Sequence, residues 1–163
     1  MELTVIHDYD CSLGTLVEQF RQPDAVKAKY LAVGAEKVRI LQCDDTQDQW
    51  RMMTVREVES AVPGLLKSVV GDRNLLEQSE HWHQMEDGTF HCILAIQIQG
   101  VPLTIQGGMI LSATDDGSRN TISLTLESKV PFIGKTLAQF AARDSERLMK
   151  LEYRYLKQLC QVA

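Results

Sequence analysis

The chain has 163 residues, a formal net charge of −5, 44% hydrophobic residues and 24% charged ones. That length suits one domain spanning 1–163 around one substantial core, and the composition is ordinary for a soluble globular protein. The negative balance speaks against nucleic-acid binding by the chain as a whole, and no apolar run is long enough to cross a bilayer.

The N-terminus, MELTVIHDYD, has no basic segment followed by an apolar one, so no signal peptide is expected. The four cysteines, Cys11, Cys43, Cys92 and Cys160, lie far apart and form no CxxC pair. They read as small buried hydrophobes in a reducing compartment, which points to a cytoplasmic protein.

In chain order, ELTVIHDY reads as a short first strand. Ser12 is placed to cap a helix in which Leu13, Leu16, Val17 and Phe20 fall at helical spacing. Pro23 sits at the start of a second short helix that Gly34 ends. Six strand signals follow, joined by turn-like segments at DDTQD, EDG and DDGS. Alternation is clear for Phe90, Cys92, Leu94, Ile96 and Ile98, for Leu103, Ile105, Met109 and Leu111, and for Ile122, Leu124 and Leu126. Gly107 and Gly108 inside a strand predict a strong bend or a bulge.

The last element is a helix expected from about Phe132, with Pro131 at its start. Thr136, Gln139, Arg143, Arg147, Lys150, Arg154, Lys157 and Gln161 form one polar, mostly basic stripe that must face water. At about 100° per residue, the opposite line runs near Ala138, Ala141, Ser145, Leu148, Glu152, Leu156 and Leu159. Its first half is small, which leaves space against a concave sheet. Glu152 falls in the middle of this buried face. A carboxylate there needs a cation, donors, water or a proton, supplied either by a structural partner or by a pocket. The order strand, two short helices, six strands, long helix packs most naturally as an α+β fold: a curved antiparallel sheet of about seven strands gripping one helix.

Two stretches raise questions of their own. In SEHWHQMEDGTF, His81 and His83 share one face of a strand and Trp82 takes the other. A three-residue EDG loop with Gly88 left-handed places Trp82 opposite Cys92, beside Phe90 and Leu94; a two-residue DG loop swaps the faces. Burial of the tryptophan favours the first, which sends His81, His83 and His91 outward as polar residues on a solvated face. Glu80 lies on the Trp82 face, so no closed ligand set for zinc forms and no metal is expected. The other stretch, AVPGLLKSVVGD, is apolar for a loop. Leu65, Leu66, Val69 and Val70 are expected to share one face of a short helical turn. That turn either caps the core or acts as a lid that touches a membrane while loading lipid, with Lys67 suited to anionic headgroups.

The element order, the SKVPFIGKTLAQF lead into the last helix, Trp82 before Asp87-Gly88, and IQGVPLTIQGGMIL together resemble the START-like superfamily. This is the helix-grip fold shared with the birch-pollen-allergen and polyketide-cyclase families. More narrowly the chain resembles an uncharacterised bacterial family of that superfamily, through Val130, Pro131, Phe132, Ile133 and Gly134. The resemblance implies a hydrophobic cavity between sheet and final helix. Relatives bind lipids, sterols, plant hormones or polyketide intermediates, and a minority catalyse cyclisation or dehydration.

The expected role is therefore non-catalytic binding or carriage of a small hydrophobic molecule, lipid-like or fatty-acid-like, with no cofactor. Trp82, Phe90, Leu94, Met109 and Leu124 would form the sheet wall. Ala141, Ser145 and Leu148 would form the helix wall, with Glu152 as the polar handle. Two alternatives stand beside it: a cyclase or dehydratase using Glu152 as acid or base, and a solidly packed protein-interaction module. No GxSxG, P-loop, HExxH or Rossmann glycine pattern is present.

Overall fold

The computed structural model describes residues 1–162, Val162 by its backbone alone. In chain order the elements are β1 (Glu2–Tyr9), α1 (Leu13–Arg21), α2 (Pro23–Ala32), β2 (Glu36–Asp45), β3 (Gln49–Glu59), β4 (Arg73–Gln84), β5 (Phe90–Ile98), β6 (Thr104–Ala113), β7 (Ser118–Glu127) and α3 (Gly134–Val162). The strands form one seven-stranded antiparallel sheet in the order β1-β7-β6-β5-β4-β3-β2. β2 to β7 are consecutive neighbours, and β1 returns to close the far edge against β7. The three helices cover the concave face of the sheet, with α3 as the gripped helix.

Local chemistry explains most of the boundaries. The Ser12 hydroxyl accepts from the Thr15 amide and caps α1, and Pro23 occupies the first turn of α2, where its missing N–H costs nothing. Both α1 and the sheet bury their apolar periodicity, with Leu16, Val17 and Phe20 turned inward. The β4–β5 hairpin has the three-residue loop: Met85 donates to Thr89, and Gly88 takes φ +86°. Asp87 accepts from the Thr89 amide and hydroxyl, which stabilises the turn. Trp82 consequently pairs with Cys92 and is fully buried.

Three local expectations are corrected. β6 stays in register with both neighbours through Gly107 and Gly108, so there is no bulge there. The glycines instead permit close backbone approach. A Cβ on Gly107 would overlap the Ser123 carbonyl oxygen, and one on Gly108 would lie 2.6 Å from the Cys92 carbonyl oxygen. The final helix starts at Gly134, because Phe132 adopts φ +69°, a left-handed conformation that a helix start excludes. Finally, Leu65, Leu66, Val69 and Val70 do not share a face. The segment is a single 3₁₀ turn, Gly64–Leu66, and Leu65 points outward while Leu66 and Val70 enter the core.

The cysteines also differ from expectation. Cys11, just before α1, and Cys160, near the end of α3, meet with their Cα atoms 5.0 Å apart and form a disulfide across a sequence separation of 149. Cys92 is buried as expected, and Cys43 is half-buried. Spacing alone carries no sign of a pairing between residues at opposite ends of the chain. Closing so long a loop restricts the unfolded chain, so reduction should cost about 2–5 kcal/mol. Urea melts with and without reductant test this. Identical midpoints, with two thiols titrating in the oxidised native protein beyond Cys43 and Cys92, would rule the link out.

Candidate functional site

Between the sheet, α2 and α3 lies a cavity of about 100 Å³. It exists because α3 turns small residues toward the sheet's concavity: Ala141 and Ser145 line it, while Ala138 is buried just outside the lining. The water-facing stripe opposite them, from Gln139 through Arg143, Arg147, Lys150, Arg154 and Lys157, is exposed. The sheet contributes an apolar wall that includes Leu94, Ile105, Met109, Ile122 and Leu124, and α3 adds Leu148 and Leu156. Room for several waters is present. The volume is below the ~300–1,000 Å³ of pockets that engulf drug-sized ligands, so the shape suits a compact molecule.

Of the residues expected to form the site, Leu94, Met109, Leu124, Ala141, Ser145, Leu148 and Glu152 meet on this cavity, and Val70 closes one side. Trp82 and Phe90 do not line it. They belong to an aromatic group with Phe20 and Trp50 near the hairpin ends of β3, β4 and β5. Trp50 and Trp82 stack with ring centres 5.2 Å apart, and the Trp50 indole donates to the Phe20 carbonyl. Of these rings only Phe20 reaches the lining; Trp50, Trp82 and Phe90 lie outside it. The remaining segment of the expected lid, Leu65, Leu66 and Val69, also lies outside the lining.

The cavity wall is more polar than the sequence expectation. On β3 and β4, Arg56, Gln78, Glu80 and Trp82 form a buried chain. The Arg56 guanidinium donates to the Gln78 side-chain carbonyl at 2.9 Å, the Gln78 amide donates to Glu80 at 2.8 Å, and the Trp82 indole donates to the other Glu80 oxygen at 2.8 Å. Thus Glu80 is buried with both oxygens satisfied by neutral donors. Arg56 also lies 3.9 Å from the centre of the Tyr30 ring. Burial pushes the Tyr30 phenol well above its ordinary range, against the pull of Arg56, which keeps the hydroxyl neutral.

A second polar group comes from β1, β7 and α3. His7 stacks on Tyr153 at 4.2 Å, and burial lowers its pKa, with Asp8 opposing. Burial also raises the Tyr9 phenol, with the Glu152 charge adding to the effect. Asn120, opposite His7 in the sheet, is 2% exposed, and its side-chain oxygen has no hydrogen-bond partner among the described residues. Glu152 is half-buried and stands where the cavity adjoins a cleft between the end of α2 and α3.

Part of this row was within reach of the strand pattern. Once Trp82 faces inward, period-two alternation sends Glu80 and Gln78 inward as well, and the same rule starting from Trp50 carries Thr54 and Arg56. Asn120 follows the same rule, on the face of β7 that carries Ile122, Leu124 and Leu126. Lys29 had no such signal, because its burial follows from how α2 packs. The histidines sit on the other face. His81 and His83 are half-buried with ring centres 4.1 Å apart, His83 pairs with His91 across the hairpin, and His81 shares a hydrogen bond with Gln49. No cluster of three His, Cys, Asp or Glu side chains suited to a metal ion occurs among the described residues. No helix among them is long and apolar enough to cross a membrane.

Comparison with known proteins agrees with this architecture. Residues 4–160 match the family described as protein of unknown function (DUF2505). The uncharacterized protein Rv0481c of Mycobacterium tuberculosis is 24% identical over 156 residues, covering 91% of this chain and 90% of that one. Among solved structures, a START superfamily protein from Mycobacterium smegmatis superposes with a TM-score of 0.60 at 17% identity, covering 98% and 97% of the two chains. A STAR-related lipid transfer protein from Xanthomonas axonopodis gives a TM-score of 0.60 at 11% identity, covering 94% of this chain and 85% of that one. The fold is therefore START-like, the helix-grip arrangement of a curved sheet around a long C-terminal helix.

Proposed function

The chain belongs to the DUF2505 family, and from that membership and its START-like fold we propose that it binds or carries a small hydrophobic ligand without transforming it. The observation that supports this reading is the hollow itself. An apolar cavity persists where close packing would ordinarily leave none, because α3 presents Ala141 and Ser145 instead of large side chains. The name of the Xanthomonas lipid transfer protein is in keeping with such a role. The hollow also runs against a solidly packed interaction module. An acid–base enzyme built on Glu152 has less support, since no side chain lies within hydrogen-bond reach of that carboxylate among the described residues. The small volume favours a single chain or compact ring over a diacyl lipid.

Ala141 gives the test. Replacing it by phenylalanine should fill the cavity at a cost of about 1–3 kcal/mol in stability and leave a folded protein. Native mass spectrometry of wild type purified from cells should show a retained small molecule or uptake of added 1-octanol, and the Ala141→Phe protein should show neither. Wild type that takes up nothing, or a filled variant that binds octanol as well as wild type, would overturn the proposal.

A further inference from the structure

Lys29 projects from α2 into the cavity wall and is 2% exposed. Its ammonium lies 4.5 Å from the centre of the Phe20 ring and 4.8 Å from that of Tyr30, and no carboxylate or hydrogen-bond acceptor partners it among the described residues. Two aromatic faces offset part of the cost of burying an ammonium, but they leave its donors unused. Arg56 lies over the same Tyr30 ring and also has no carboxylate partner; it is bonded to Gln78 and, more weakly, to Thr54. Two buried cations thus converge on one aromatic ring at the cavity wall.

The acids on that wall do not neutralise them. Glu80 is held by Gln78 and Trp82, and Asp144 is held by Arg147 and Ser60. Glu152 stands half-exposed toward the cleft. Elsewhere on the lining, the buried Asn120 oxygen lacks a donor among the described residues.

We propose that Lys29 and Arg56 form the recognition site for the head group of the cavity's ligand, and that this ligand is a small monocarboxylic acid with an apolar body. The assignment rests on the ligand-binding reading above and names its chemistry. The carboxylate takes hydrogen bonds from the Lys29 ammonium and from the guanidinium edge that Gln78 leaves free, in a setting where charge-assisted bonds are strong. The apolar body lies along Leu94, Met109, Leu124 and Ala141. A hydroxyl on that body would meet Asn120. A doubly charged phosphate fits less well, because each of its oxygens needs donors and the wall supplies two cations, one of them already engaged.

Binding of octanoate, 1-octanol and octylamine, three head groups on one chain length, tests this by calorimetry on the full chain. Wild type should bind octanoate about 10- to 100-fold more tightly than octanol, the range expected for charge-assisted hydrogen bonds. Lys29→Met keeps the stem against Phe20 and Tyr30 and should erase that preference while leaving octanol affinity within about twofold; Lys29→Arg should restore most of it. Glu152→Gln removes a negative charge from the lining of the same cavity and should tighten octanoate binding. Equal affinity for octanoate and octanol in wild type, tighter binding of octylamine, an octanoate preference that survives Lys29→Met, or loss of octanoate binding in Glu152→Gln would each overturn the head-group assignment. Absence of binding by all three probes would instead remove the ligand-binding reading on which it stands.

Discussion

Replacing Trp82 with alanine should destabilise the protein by about 4–8 kcal/mol, enough to remove most of the ~5–15 kcal/mol that holds a domain of this size folded. Two losses combine. The indole is fully buried against Trp50 and Phe20, with ring centres at 5.2 and 5.5 Å, so its removal opens a void that rigid aromatic neighbours fill poorly. Trp82 also donates to Glu80 at 2.8 Å, and without it a buried carboxylate oxygen loses its donor. The disturbance then passes along Gln78 to Arg56. Trp82→Phe separates the two parts: it keeps most of the ring and should cost only about 1–3 kcal/mol, for the unsatisfied Glu80. Urea denaturation of both variants measures this. Losses below about 1 kcal/mol for each would mean that neither the stack nor the Glu80 bond matters to the fold.

Gly107→Val should prevent β6 and β7 from pairing and yield protein that is largely unfolded or insoluble. Any Cβ at this position overlaps the Ser123 carbonyl oxygen and comes within 2.9 Å of Leu124 Cα. These are backbone atoms of a central strand, so no rotamer change relieves the clash, and a cost of about 4 kcal/mol or more is expected. Gly64→Ala is the control: a Cβ there meets nothing within 4 Å, and its effect should stay within about 0.5 kcal/mol. Circular dichroism and sedimentation distinguish the outcomes. A soluble, cooperatively melting Gly107→Val protein would show that the two strands can separate at no great cost.

The fold was largely legible because it rests on local chemistry and on periodicity. Ser12, Pro23 and the EDG loop act over a few residues, and each sets a boundary that the tertiary context does not contest. Turn length fixed the register of β4 against β5, and register fixed the side on which Trp82 lies. Periodicity alone also carried Ala141, Ser145 and Glu152 to one line of α3, the line that meets the cavity.

The limits have the same origin. Phe132 takes a left-handed backbone and delays α3 to Gly134, which no propensity foretells. Trp82 and Phe90 are inward, but inward on a curved sheet means either cavity lining or aromatic packing outside it, and only the placement of α1 decides between them. Cys11 and Cys160 pair because the end of α3 reaches the segment after β1.

What the sequence determined by itself, then, is the alternation that makes a curled antiparallel sheet and the stripe that makes one amphipathic final helix, since both follow from spacing along a single element. The tertiary structure alone decided that Lys29 is buried without an acceptor and that the Asn120 oxygen is left without a donor among the described residues, and that Arg56 shares the Tyr30 ring with Lys29. Burial of a polar side chain depends on what packs over it from elsewhere in the chain, and that is a property of no single element's pattern.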